Sequence, residues 1–203
     1  MAGRGPRREP RVTIRPRPGQ DGAVSLPSLG ALTSLPALDH PDLLAPSVAA
    51  ALRGWEHADR VAVVAIDPDL ADTAAMSEAY DLPMSTGANC VVVGGRRDGE
   101  ERVAACLVRA DTRADVNNLV KRTLDVRKAS FLPMDRAVDG SGMEYGGITP
   151  VGLPAGWRLL VDARVAAMDV AVIGSGVRRS KLLVAGALLA QLPGAEVVEG
   201  LAG

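Results

Sequence analysis

The amino-acid sequence predicts an α+β fold, on three observations. The chain has 203 residues, of which 47% are apolar, 23% charged and 2% aromatic, and this composition is typical of one globular domain. Short β-branched runs bounded by Gly, Pro and Asp recur along the chain and are typical of strands. Stretches with helical spacing lie between these runs at irregular intervals, which favours mixed α+β over regular βαβ repeats.

An N-terminal extension, residues 1–38, precedes the predicted domain, residues 39–203. The extension is rich in Pro, Gly, Ser and Arg and has no sustained periodicity, so we expect it to pack little or not at all. Its first 20 residues contain six arginines and one acid, Glu9, a charge of +5 that leaves −6 on the rest of the chain. A flexible solvated tail is favoured over a basic arm that binds nucleic acid.

The first predicted elements are two helices and a strand. Apolar residues recur at helical spacing between Asp39 and Gly54 and predict a helix there. The β-branched run Val61–Ile66 predicts a buried strand. The Ala-rich segment Asp72–Tyr80 predicts the second helix.

A hairpin and a third helix are predicted next. The runs Asn89–Val93 and Arg102–Val108 flank Asp98-Gly99, a pair that accepts the positive φ values of a tight hairpin turn. Asp111 or Thr112 is expected to cap a helix that continues to Leu124, because the apolar residues within it share one face.

The C-terminal part is predicted to contain a short helix, a structured loop, three strands, a helix and a last strand. In chain order these are Pro133–Val138, Ser141–Gly156, Arg158–Val161, Val170–Ile173, Lys181–Val184, Ala185–Gln191 and Glu196–Val198.

Several kinds of site are disfavoured by the residues present. Val170–Gly176 resembles a dinucleotide-binding turn, but Arg179 occupies the third glycine position and too little chain follows. Cys90 and Cys106 form no CxxC pair, and His40 and His57 lie far in sequence from any Gly-rich loop. We therefore expect no metal and no cofactor. With no apolar stretch of about 20 residues and no secretory signal, we expect a cytoplasmic protein without membrane contact.

The least generic stretch is the loop Gly142–Gly152, with the sequence GMEYGGITPVG. Gly146 and Gly147 allow main-chain amides to approach a ligand, and Pro150 restricts the shape of the loop. Preorganised amides can bind a carbonyl oxygen as negative charge develops on it, which suits ester chemistry. A rigid turn between two elements is the alternative interpretation.

This loop resembles the Gly-x-x-x-Pro substrate loop of the YbaK/prolyl-tRNA-editing family of aminoacyl-tRNA deacylases. Asp72–Tyr80, Leu160–Asp162 and Gly174–Gly176 are similar to further family segments in the same order. The resemblance implies a mixed, partly barrel-like central sheet with flanking helices, and hydrolysis of the ester of mischarged tRNA of the Ala- or Cys-tRNA(Pro) type. It also implies mischarged tRNA and a prolyl-tRNA synthetase as partners, a homodimer, and no cofactor.

The resemblance also implies the residues of the site. The catalytic candidates are Gly146, Gly147, Pro150 and Asn89. The substrate-binding candidates are Tyr145, Ile148, Thr149, Gly152, Asp162, Gly174, Ser175 and Gly176.

One position departs from the family pattern. Asn89 stands where the family usually has a lysine, so the site keeps hydrogen-bonding capacity there but loses a cation. Spacing leaves open whether Lys121, Lys128, Lys181 or Arg109 reaches the pocket from another element. The departure motivates a second hypothesis, a catalytically weakened module that binds tRNA ends or an aminoacyl ligand. A structural or oligomerising domain is the third.

Overall fold

The computed structural model describes residues 25–203, which form two β-sheets with helices packed around them. The strands are β1 (Leu35–Pro36), β2 (Ala62–Ala65), β3 (Ala88–Arg97), β4 (Glu100–Arg109), β5 (Ala129–Phe131), β6 (Arg158–Asp162), β7 (Ala171–Gly174), β8 (Ser180–Val184) and β9 (Ala195–Val198). The α-helices are α1 (Pro46–Arg53), α2 (Thr73–Ala79), α3 (Lys121–Leu124), α4 (Met134–Ser141), α5 (Ala163–Ala166) and α6 (Gly186–Leu189).

The α+β prediction is confirmed, with two open sheets in the described residues rather than a closed barrel. One sheet has four antiparallel strands in the order β1-β2-β8-β7. The other has the order β5-β3-β4-β6-β9, antiparallel across β5, β3 and β4 and parallel from β4 to β9. Both contribute to the main core, which contains Val63 and Leu182 from the first sheet and Leu107 and Val161 from the second.

The two sheets meet at one corner. An isolated parallel bridge pairs Gly87, just before β3, with Val172 in β7. Helix α2 follows a segment that lines this corner and is capped by Asp72, whose side chain accepts a hydrogen bond from the main-chain N–H of Ala74 at 3.0 Å. The corner therefore brings together the start of β3, the strand β7 and the segment that leads into α2.

The hairpin prediction is confirmed, and its strands are longer than the apolar runs indicated. β3 and β4 pair along all ten residues, from Ala88 opposite Arg109 to Arg97 opposite Glu100. Asp98 and Gly99 have φ values of 52° and 88°, as a two-residue hairpin turn with positive φ at both positions requires.

Two helix predictions are wrong in their boundaries. The helix expected from Asp39 is two 3₁₀ turns followed by α1, and α1 begins at Pro46, because proline at the first helical position needs no partner for an N–H. The next cap is Asp115 rather than Asp111 or Thr112, since Asp111 is held in an ion pair by Arg109. A π-helical turn, Val116–Val120, then precedes α3.

Part of the predicted extension is packed, contrary to expectation. Leu32 and Ala37 are buried, and β1 pairs with β2 while Ala37 donates its main-chain N–H to Val61 O at 3.1 Å. Apolar side chains therefore anchor residues 25–38 even though no periodicity marks them. The six arginines lie in residues 1–24, outside the described part, and the division of domains at residue 38 stays a prediction.

None of the helices in the described part of the chain has the length and apolar character that crossing a bilayer requires.

A buried carboxylate holds the C-terminal end of the second sheet together. Asp162 is 1% exposed and accepts hydrogen bonds from the main-chain N–H of Arg164 at 2.8 Å and of Ala202 at 2.9 Å. Its ion pair with the Arg164 guanidinium is 3.1 Å long. Burial alone would raise the pKa of this carboxyl, but the hydrogen bonds from Arg164 and Ala202 hold the pKa below its usual value. Asp162 therefore joins β6, α5 and the C-terminal residues.

We expect Asp162→Asn to lower the free energy of unfolding at pH 7 by about 1–3 kcal/mol, because the amide brings a donor where the carboxylate only accepts. Because the carboxyl pKa is lower in the folded state, its contribution is present above the unfolded pKa and is lost as pH falls through the folded pKa. Urea denaturation at several pH values measures both effects. The control is Asp139→Asn, at an exposed position, and equal stability of the two variants would contradict the assignment.

Candidate functional site

A cavity of about 470 Å³ lies at the corner where the two sheets meet. This volume is within the range of small-ligand pockets, roughly 300–1,000 Å³. Its apolar lining comes from Met76, Leu82, Val91, Ile148, Val172 and Ile173, and its polar lining includes Asp72, Thr73, Asn89, Arg178 and Lys181. The cavity therefore offers an apolar wall beside a small group of polar and cationic side chains.

The loop after α4 borders this cavity and is fixed by contact between two main-chain segments. Gly147 O accepts a hydrogen bond from Gly176 N–H at 2.8 Å, and Gly147 N–H donates to Glu144 O at 2.9 Å. A Cβ atom on Gly147 would lie 2.8 Å from Val177 N, and one on Gly174 would lie 2.3 Å from Gly147 O. Only glycine allows the two segments to lie this close.

Two residues of the loop line the cavity and carry main-chain N–H groups that could serve as donors. Gly146 lines the cavity with a φ of 79°, a conformation that favours glycine, and Ile148 lines it two residues later. Within residues 25–203, neither Gly146 nor Ile148 donates its main-chain N–H to a protein acceptor. Donors of this kind can bind a carbonyl oxygen of a ligand.

A buried lysine provides a cation at the same place. Lys181, in β8, is 6% exposed, and its Nζ donates to Ala71 O at 2.7 Å and to Gly146 O at 3.2 Å. Burial, with a smaller effect of the nearby Arg178 charge, lowers the pKa of Lys181 to about 8, while Asp72 acts in the opposite direction. The ammonium thus ties the segment before α2 to the loop and carries charge at neutral pH.

Arg178 makes a second link between the loop and the segment before α2. Its guanidinium donates to Tyr145 O at 3.2 Å and to Pro68 O at 2.9 Å. Its main-chain N–H donates to Glu144 Oε2 at 2.6 Å. Both ends of the turn 144–147 are therefore held by the chain around Arg178.

Asn89 faces the cavity from the start of β3 and is paired with α2. The hydroxyl of Thr73 donates to Asn89 Oδ1 at 2.8 Å, so the amide group of Asn89 stays available as a donor. Cys90 is beside it, but burial and the neighbouring Cys106 thiol raise the pKa of Cys90 far above neutral. A protonated thiol is a poor nucleophile, so the polar groups of this wall bind rather than attack.

The structure brings some of the sequence-predicted site residues together at the cavity and not others. Those that line it are Asn89, Tyr145, Gly146, Ile148 and Gly174. Gly147, within the loop, and Gly176, in the turn after β7, do not line the cavity and shape the loop through main-chain contacts. Of these four glycines, Gly146 and Gly174 reach the cavity.

The remaining predicted residues lie elsewhere. Pro150 and Gly152 line a second cavity of about 400 Å³, together with Trp55 and Trp157. Thr149 is fully buried, and its hydroxyl has no partner within the described residues.

Two other predicted residues take part in internal hydrogen bonds. Ser175 is buried and its hydroxyl lies 2.7 Å from that of Ser180. Asp162 holds the C-terminal residues, as described above. These contacts give both side chains partners within the protein.

Of the four cations considered from the sequence, Lys181 lines the cavity, and Lys121, Lys128 and Arg109 do not. Arg109 forms an ion pair with Asp111. Spacing could not identify Lys181, but one sequence signal was present: it is a charged residue within the buried strand run Ser180–Val184. In residues 25–203 no group of three or more His, Cys, Asp or Glu side chains is arranged to hold a metal ion.

Comparison with known proteins assigns the family. The chain belongs to the aminoacyl-tRNA editing domain family, whose model matches residues 67–192. This match confirms the resemblance drawn from the glycine loop, and it includes the cavity, the loop and Lys181. Among curated proteins, no sequence matches the chain.

Solved structures show the same fold at low sequence identity. The hypothetical protein APE2540 is 20% identical with a TM-score of 0.62, over 70% of this chain and 90% of its own. A scaffold used for computational epitope grafting is 19% identical with a TM-score of 0.65, over 77% of this chain and 97% of its own. A candidate trans-editing enzyme for prolyl-tRNA synthetase is 18% identical with a TM-score of 0.63, with the same coverages.

Because the pKa of Lys181 is lowered in the folded state, this residue should make the free energy of unfolding depend on pH. Between about pH 8 and its usual value of 10.5, the unfolded chain binds the proton that the folded chain has released. The contribution of Lys181 to the free energy of unfolding therefore rises with pH in this interval. We expect the free energy of unfolding of wild type, relative to that of Lys181→Met, to increase by up to about 3 kcal/mol as pH rises through this interval. Urea denaturation of both proteins from pH 7 to pH 10 measures this shift, and parallel curves would contradict it.

Proposed function

We propose that this protein is a trans-acting aminoacyl-tRNA deacylase that hydrolyses the ester of mischarged tRNA. The observation that carries the proposal is that Gly146 and Ile148 line the 470 Å³ cavity with main-chain N–H groups that no acceptor within residues 25–203 engages. Membership of the editing-domain family supports it.

In the proposed reaction the carbonyl oxygen of the ester accepts hydrogen bonds from these two N–H groups. A water molecule attacks the carbonyl carbon, and the negative charge that develops on the oxygen is stabilised by donors already in place. The bond from the carbonyl carbon to the ribose oxygen then breaks, and that oxygen takes up the proton that the attacking water gives up, which makes it a hydroxyl group. The products are the free amino acid and the uncharged tRNA, so no cofactor is required.

Asn89 is proposed to orient the reacting groups from the opposite wall. Its Oδ1 is engaged by Thr73, which fixes the side chain and leaves its NH₂ group for the substrate or the attacking water. Holding the reactants in place supplies a large part of the rate enhancement of such reactions. The proposal therefore assigns binding and positioning to Asn89 and no proton transfer.

The proposed substrate is a small amino acid, alanine or cysteine, on a proline tRNA. The apolar wall formed by Met76, Ile148 and Val172 suits a small uncharged side chain, although apolar pockets select against an added methylene by only about 10- to 200-fold. One protein of similar fold is a candidate trans-editing enzyme for prolyl-tRNA synthetase. On this basis we also propose a prolyl-tRNA synthetase as partner, and we propose a homodimer from the family resemblance alone.

We expect Gly147→Ala to lower kcat by about 100-fold, because the new Cβ would lie 2.8 Å from the main chain of Val177 and displace the donors by a fraction of an ångström or more. The measurement is release of alanine or cysteine from Ala-tRNA(Pro) and Cys-tRNA(Pro). Gly54→Ala is the matched control, since its Cβ meets an ordinary contact at 3.7 Å from Ala51 O.

The same assay separates the proposal from its alternatives. Release by wild type that does not exceed release in buffer, over several misacylated tRNAs, would overturn the deacylase proposal. Binding of mischarged tRNA with its ester intact would instead support the binding-module hypothesis. Absence of any tRNA affinity at low salt would support a purely structural domain.

A further inference from the structure

Lys181 is the one buried cation in residues 25–203, and no direct ion pair with an acid within these residues compensates its burial. No carboxylate lies within 4.0 Å of its Nζ in the described chain, and its hydrogen-bond partners are two neutral carbonyl groups, Ala71 O and Gly146 O. Burying a charge without a counter-ion costs free energy. A methionine would fill similar space in the strand without that cost, so packing alone does not explain the lysine.

The position of the ammonium connects it to the chemistry of the cavity. Ala71 precedes α2, and Gly146 belongs to the loop that carries the proposed donors, so a single Nζ atom bridges two sides of the cavity. An ammonium has three N–H groups, and two are used by these carbonyls, which leaves one for a group within the cavity.

We propose that Lys181 is a positioning residue of the deacylase site, which holds the Gly146 loop against the cavity and supplies the positive charge beside the developing oxyanion. This inference rests on the proposed function. It places the cation of the site on β8, whereas the family resemblance leads one to expect it at the start of β3, where this chain has Asn89.

Of the charged side chains that line the cavity with Lys181, one carboxylate, Asp72, opposes the positive charge of its ammonium. Arg178 lies on the same cavity and carries the same charge, and Asp72 at the start of α2 is the opposing group. The carboxylate of Glu144 is engaged by the main-chain N–H of Arg178. The cavity lining contains two further ionisable side chains, Cys90 and Tyr145. In a partly dry cavity, such a charge acts on a nearby oxyanion more strongly than in water.

The positive charge proposed for Lys181 makes the activity depend on pH. Because the pKa of Lys181 is about 8, the ammonium loses its charge as pH rises through that value, and we expect kcat to fall. The contribution of Lys181 to the free energy of unfolding rises in the same interval, as argued above. Circular dichroism at each pH checks that the fall in activity does not come from unfolding.

The experiment compares wild type, Lys181→Met, Lys181→Arg and Lys128→Met from pH 6.5 to pH 9.5, with the uncatalysed hydrolysis of the ester subtracted. We expect Lys181→Met to lower kcat at pH 7 by about 10- to 100-fold and to abolish the fall near pH 8. Arginine stays charged throughout this range, so Lys181→Arg is expected to recover part of the loss and to show no fall. Lys128→Met removes the same charge at an exposed position and should behave as wild type.

Each outcome decides for or against the inference. If wild type deacylates the tRNA and Lys181→Met, folded by circular dichroism, keeps its kcat and pH profile, the inference is wrong while the proposed function stands. Equal losses in the Met and Arg variants with an unchanged wild-type profile would indicate packing rather than charge. If wild type itself releases no amino acid, the proposed function fails first.

Discussion

The structure of the site depends on one close contact between two stretches of main chain. Gly147 and Gly174 lie together without side chains between them, and the hydrogen bond from Gly176 N–H to Gly147 O fixes their separation. This contact is between the loop after α4 and the end of β7, so it sets how far the loop stands from the first sheet. The open cavity and its main-chain donors both follow from that distance.

A second constraint acts against stability rather than for it. The buried ammonium of Lys181 is disfavoured by its surroundings, which lower its pKa. A cation that a stable protein would pair or expose is here placed at the cavity. Functional sites commonly carry such local costs, which the rest of the fold offsets. In this chain the paired sheets and the Asp162 network provide that support.

Much of the fold could be predicted from local sequence. Asp98-Gly99 identified the hairpin, and the β-branched runs identified β2, β6, β7 and β8, because turn chemistry and strand propensity act within a few residues. The strand β5 and the packing of residues 25–38 were missed, since they depend on pairing with distant strands that no local pattern reveals. The cap at Asp115 was missed because Arg109 holds Asp111, a contact between side chains that spacing does not indicate.

The candidate site was predictable only in part, and for a related reason. The glycine loop has a recognisable sequence, so Gly146 and Ile148 could be named in advance. Sequence spacing could not separate residues that face the cavity from those behind it, such as Gly147 and Thr149. It also could not select Lys181 from the other cations, because β8 reaches the cavity only through its pairing with β7 and β2.

The bond from Lys181 Nζ to Ala71 O joins residues 110 positions apart. During synthesis on the ribosome, a chain that has emerged only as far as the glycine loop lacks both β7 and the ammonium that hold this loop. The nascent protein therefore cannot complete this cavity until β8 has left the exit tunnel, and any fragment that ends before this strand lacks its cation.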